Sequence, residues 1–148
     1  MARLFTTLLM LLAGVGLSVQ AAINGTLGKK IGALEGALVN FFVGTLILLL
    51  TVLFAGHGQL GEVLRVPKWQ LLGGLIGAVY VAAMVFAVPR IGVGVAVMAV
   101  IVGQLAMSMA IDHFGLFGLR RIPVDGYRLA GALLLAVALF LIYRGSGR

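Results

Sequence analysis

The sequence predicts an all-α integral membrane protein built from five transmembrane helices, and three observations carry that prediction. The chain is 62% apolar and only 10% charged, with a mean hydropathy of +1.20, whereas a soluble domain carries about 25% charged residues. Its apolar residues fall into five runs of about twenty, the length a helix needs to cross a hydrocarbon core of about 30 Å. The basic residues, 11 against four acidic ones, stand singly or in pairs between those runs. That scatter suits lipid headgroups rather than nucleic acid. Cysteine is absent, which excludes disulfides and thiolate metal sites. Two isolated histidines, His57 and His113, do not make a metal site. No cofactor is expected. The length suits one transmembrane domain over residues 1–148 with no separate soluble domain.

The spans are expected at about 4–23, 34–55, 69–88, 91–112 and 126–143. Leu4–Ile23 is longer than a signal-peptide apolar region of about 7–15 residues, so it reads as a first span. Its row Gly16, Gln20, Asn24, Gly28 repeats at i, i+4, placing small residues and amides on one face for close helix contact. Gly25–Ala33, with Lys29 and Lys30, reads as a short loop. The second span carries the row Gly32, Gly36, Asn40, Gly44. Glu35 stands in its first turn, where the helix dipole favours an anion. Gly56–Lys68 is the longer polar connection. Trp69 follows at interface depth. The third span contains Gly73-x-x-x-Gly77, a packing motif, and Tyr80 near its middle, whose hydroxyl needs a partner in a neighbouring helix or a pocket. Val88–Gly92 reads as a tight reversal. After the fourth span, His113–Asp125 is rich in glycine and basic residues. The fifth span has no polar side chain in its interior, and Tyr127 and Tyr143 bracket it as interfacial anchors.

The fourth span is the most informative stretch. Gln104, Ser108 and Asp112 lie at i, i+4, i+8, a polar stripe on an otherwise apolar helix. Polar groups in a membrane face a bundle interior or a wet cavity. The stripe therefore reads as one wall of a pocket, faced by Gln20, Asn24 and Asn40, with Tyr80 as a further contact. Asp112 falls about 16 Å from the centre of its span, at the hydrocarbon boundary. That depth favours an interfacial residue paired with Arg120 or Arg121 over a deep proton carrier.

Orientation signals are nearly balanced. Five spans put Arg3, Arg65, Lys68, Arg120, Arg121 and Arg128 on one side, and Lys29, Lys30, Arg90, Arg144 and Arg148 on the other, six against five. The positive-inside rule needs a bias to choose an orientation. Near-balance predicts dual topology, in which copies insert both ways and pair antiparallel into a ten-helix inverted-repeat bundle. Depth supports that pairing. Gln104 and Ser108 lie roughly 5 and 10 Å from mid-span on one side, and Asn40 and Gln20 roughly 7 and 10 Å out on the other. Inverting a second copy brings the two pairs to one level.

Gly103-Gln104, Ser108 and Ile111-Asp112-His113-Phe114-Gly115 resemble the fourth-helix signature of the YdcZ-like family. These are half-size, five-span members of the drug/metabolite transporter superfamily. Gln20 and Asn24, Phe41–Gly44, Gly73-Gly74 with Gly77, and Pro89-Arg90-Ile91-Gly92 match the same pattern, so the resemblance covers nearly the whole chain. It implies five-span subunits that assemble like ten-span transporters in a bacterial inner membrane, and it names no substrate. The small multidrug exporters are similar in scale, yet depend on a glutamate embedded in the first helix. Gln20 is the nearest polar residue here, which argues against cation/proton exchange of their kind.

The expected function is therefore secondary-active transport of a small polar molecule by an antiparallel homodimer using alternating access. Gln20, Asn24, Asn40, Tyr80, Gln104 and Ser108 are the candidate substrate contacts. Asp112 and Glu35 are the acidic residues adjoining the spans that could couple an ion. A passive channel and a non-transporting membrane assembly partner are the alternatives; in the latter the polar rows are only helix adhesive. An enzyme is not expected, since no nucleophile stands beside a base. The expected partners are the lipid bilayer, a second copy and a small-molecule substrate, not nucleic acid.

Overall fold

A computed structural model describes residues 2–146. Of the charges counted above, the side chain of Arg3 and all of Arg148 lie outside the described residues. Among the described residues every regular element is helical: α1 (Ala2–Ile31), α2 (Ala33–Ala55), α3 (Leu72–Ile91), α4 (Val93–Phe114) and α5 (Gly126–Ser146). Five segments are long and apolar enough to cross a membrane. Their exposed Leu, Ile, Val and Phe side chains are what a lipid-facing surface requires. The 56–71 connection contains two short 3₁₀ turns, Leu60–Leu64 and Lys68–Leu71. An exposed Arg65–Glu62 ion pair of 3.1 Å lies in it.

The chain divides between residues 90 and 91 into two compact units. The first holds α1, α2 and α3. Gln20 bonds to Asn40, and a Cβ added at Gly36 would lie 3.3 Å from the Gly28 Cα. Both pairs straddle the same turn, so α1 and α2 run antiparallel. Val85 of α3, 1% exposed, plugs this seam. A Cβ at Gly28 would sit 2.2 Å from Val85 Cγ1, and one at Gly25 2.7 Å from Val88 Cγ1. Ala21, Asn24, Ala37 and Met84 complete the buried centre of the unit.

This packing corrects the expected loop at Gly25–Ala33. Helix α1 continues to Ile31, with Lys29 and Lys30 in its last turn, where the dipole favours cations. Gly25 and Gly28 are contact points rather than breakers. The break is Gly32 alone, at φ 105°, ψ 152°, a region essentially restricted to glycine. The expected reversal at Val88–Gly92 is corrected in the same way. Helix α3 runs through Pro89 to Ile91, and only Gly92, at φ 81°, ψ 157°, separates it from α4. Pro89 has no N–H to give to Val85, one turn earlier. That carbonyl faces Gly28, 3.6 Å from where its Cβ would be.

The second unit is the antiparallel pair α4–α5. Val95 and Ala99 share an apolar groove of about 430 Å³ with Leu139, Phe140 and Tyr143 at one end. At the other end the connection folds back onto α4. Gly115, at φ 63°, ψ 40°, ends α4 in the left-handed conformation and donates to the Ile111 carbonyl, as an αL cap does. The Asp125 carboxylate accepts from Arg128 N–H at 2.8 Å, an N-cap for α5.

Candidate functional site

The first unit brings together two of the expected site residues. Gln20 Nε2 donates to Asn40 Oδ1 at 3.4 Å, across α1 and α2. Beside this pair opens a cavity of about 380 Å³ lined by Gln20, Asn40, Phe41, Gly44, Thr45 and Leu48, among others. The i, i+4 row that carries Asn40 and Gly44 continues to Leu48, so the helical period itself aims this wall at one space. The bond is long, and an amide has one acceptor and two donors to place. Gln20 keeps its oxygen and one N–H, and Asn40 keeps both of its own N–H groups. Among the described residues none that is charged lines the cavity. Thr45 is not singled out by the sequence; its place one residue past Gly44 of the Asn40 row was the available signal.

Asn24 lies one turn along α1 from Gln20 and is buried, 7% exposed. It belongs to the packed seam near Gly25 rather than to the cavity lining. Tyr80 is half-buried on α3, on the face it shares at i, i+3 with Gly77. A Cβ at Gly77 would lie 3.8 Å from the Phe41 ring, which ties that face of α3 to the cavity wall.

Gln104 and Ser108 belong to the second unit, and both are exposed. The Ser108 hydroxyl donates to the Leu105 carbonyl at 2.9 Å, so only its lone pairs remain to offer. Ser18, Thr51 and Ser146 bond back along their helices in the same way, which satisfies a hydroxyl without a neighbour. Gln104 has no hydrogen-bond partner among the described residues.

Asp112 is engaged in a clamp. Its carboxylate pairs with Arg128, each side chain 29% exposed. This corrects the expected pairing with Arg120 or Arg121. Arg128 also donates to the Ile122 carbonyl at 3.1 Å. Ile122 N–H donates to the Asp112 carbonyl at 2.8 Å. Arg121 Nε donates to the His113 carbonyl at 2.9 Å, and Val124 N–H donates to His113 Nδ1 at 3.2 Å. These bonds tie the end of α4 to the connection that follows it. Glu35 is exposed and its carboxylate folds over Gly32, with Oε2 2.1 Å from where a Cβ there would be, as an anion at a helix start is drawn to do. No metal-holding cluster of His, Cys, Asp or Glu occurs among the described residues.

Comparison with known proteins adds the family. Residues 5–141 match the family described as "Putative inner membrane exporter, YdcZ". The chain is also 29% identical over 147 residues to the inner membrane protein YdcZ of Escherichia coli (strain K12), covering 95% of this chain and 96% of that protein. No solved structure matches the chain significantly. Five membrane-length helices among the described residues and a family match that reaches all five lead to one conclusion: the chain belongs to the YdcZ family of membrane transporters and is a multi-pass protein of the bacterial inner membrane.

Proposed function

We propose that the chain is a secondary transporter for a small, polar, neutral or zwitterionic molecule, and that the Gln20–Asn40 pair forms part of its binding site. The observation that carries this reading is an amide pair with unspent hydrogen-bonding capacity beside a cavity of about 380 Å³ that no charge lines. Amides recognise polar substrates without the desolvation cost of a buried charge. Tyr80, Gln104 and Ser108 are the further contacts in this reading, and Asn24, buried one turn from Gln20, supports the wall from behind. The unpartnered Gln104 amide supports its inclusion, because an exposed amide in a membrane helix calls for a polar counterpart.

The working unit in this proposal is an antiparallel homodimer of dual topology, with alternating access by rocking of the two inverted copies. Its support is the near-equal count of basic residues on the two sides. Coupling would involve Glu35 or Asp112. The ion pair of Asp112 with Arg128 favours a structural role there, which leaves Glu35 as the stronger candidate.

The test uses the cysteine-free chain. A single cysteine is introduced in place of Gly58 or Gly145, and each is labelled in intact cells with an impermeant thiol reagent. Dual topology predicts about half of the permeabilised signal at both positions. Full labelling at one and none at the other contradicts it. In reconstituted vesicles screened by counterflow with neutral and zwitterionic metabolites, Gln20→Ala and Asn40→Ala should each abolish saturable exchange. Exchange that survives both substitutions contradicts the site. Channel-like currents in place of saturable exchange contradict the carrier.

A further inference from the structure

A second polar cavity in the first unit has a different chemistry. It measures about 460 Å³ and lies among the end of α1, the start of α2 and the end of α3, with Lys29 and Arg90 in its lining together with Gly28, Gly32, Val85 and Phe86. Arg90 is held in place. Its Nη1 donates to the Phe86 carbonyl, and its guanidinium carbon lies 3.5 Å above the Phe86 ring. That stacking leaves further N–H donors of the fork unspent. Neither Lys29 nor Arg90 is ion-paired among the described residues, where the pairs are Arg65–Glu62 and Arg128–Asp112. No acidic residue lines the cavity; Glu35 lies at its rim over Gly32 and bonds neither cation. Two cations outside any ion pair, one preorganised on an aromatic ring, thus share one concavity at the ends of two spans. That is headgroup depth.

We propose that this cavity binds a phosphate group between Lys29 and Arg90, presented by an anionic phospholipid or by a soluble phosphorylated molecule. A planar guanidinium fork and an ammonium are the usual pair of phosphate ligands, and basic pockets between transmembrane helices hold anionic headgroups. The site is separate from the amide-lined cavity, and the proposal does not depend on that assignment. Lys30 provides an internal control. It is adjacent to Lys29 in sequence and equally exposed, yet is not part of the lining.

Native mass spectrometry of the full-length protein with phosphatidylglycerol and phosphatidylcholine tests it. The unsubstituted chain should retain phosphatidylglycerol preferentially. The preference should fall about twenty-five-fold in Lys29→Gln/Arg90→Gln, from about fivefold per cation, and clearly less than fivefold in Lys30→Gln. Should the double variant fail to elute as a folded protein, Lys29→Gln alone, at an exposed position, should lose about fivefold. Excess inorganic phosphate distinguishes the sources. Displacement of the lipid shows a site that takes a free phosphate, whereas retention shows one that needs the headgroup. No preference for phosphatidylglycerol in the unsubstituted chain, or an equal loss in Lys30→Gln, overturns the proposal.

Discussion

The two units each contain a polar cluster, and they differ in how densely it is cross-bonded and in whether a cavity opens beside it. At the end of α4, Asp112 Oδ2, the His113 carbonyl and Nδ1, Asp125 Oδ1 and both Nη atoms of Arg128 are bonded to one another or to the neighbouring arginine and loop backbone. In the α1–α2 hairpin, Gln20 and Asn40 share one long bond of 3.4 Å and face an open cavity. A closed network holds a connection in place, and an unfinished one beside a cavity is available to a ligand. Charge alone would have pointed the other way, since Asp112 and Asp125 both belong to the densely bonded cluster.

The largest expected effect concerns the seam that supports the open cluster. Gly28→Ala drives a methyl into Val85 Cγ1 and should destabilise the protein by about 1–3 kcal/mol, read as thermal unfolding in detergent. Gly28→Ala/Val85→Ala should recover part of that loss, because the clash is with the valine methyl. A double variant no better than the sum of its parts would show that the seam does not rest on this contact. Next comes the closed cluster. Asp112→Ala leaves Arg128 unpaired at a partly buried position and should cost about 1–3 kcal/mol. Asp125→Ala removes the α5 N-cap and should cost about 1 kcal/mol. Both should spare the shape of the amide-lined cavity. The smallest stability effect belongs to Gln20→Ala, about 0.6 kcal/mol for one inter-helix bond, although its effect on exchange should be complete. A large stability loss with exchange intact would erase the contrast and turn the amide pair into helix adhesive.

Much of the fold was legible in the sequence because the membrane imposes it. Uncharged runs of about twenty residues have few alternatives to a helix in a bilayer, and the i, i+4 rows placed Gln20 and Asn40 on faces that do meet. The misread segments share one cause. Gly25 and Pro89 read as helix breakers, which is how they act in water-exposed chains, although the Gly28 row also reads as a surface for close helix contact. In packed apolar helices Gly25 and Gly28 are the points of closest approach, and Pro89 is accommodated in the last turns of α3. The partner of Asp112 was illegible for another reason. Arg120, Arg121 and Arg128 are all within reach in sequence, and the path of the connection, set by Gly115 and the Asp125 cap, decides among them.

The most direct test of the amide-lined cavity needs no substrate. In the cysteine-free chain, Gln20→Cys, Thr45→Cys and, as a lipid-facing reference, Leu46→Cys are each treated with a charged thiol reagent in reconstituted vesicles. The reagent reacts with the thiolate, which forms only where water reaches. A hydrated binding cavity predicts reaction at positions 20 and 45 and none at 46. Unreactive thiols at positions 20 and 45, matching position 46, would contradict a binding cavity there and leave the amide pair as an element of helix packing.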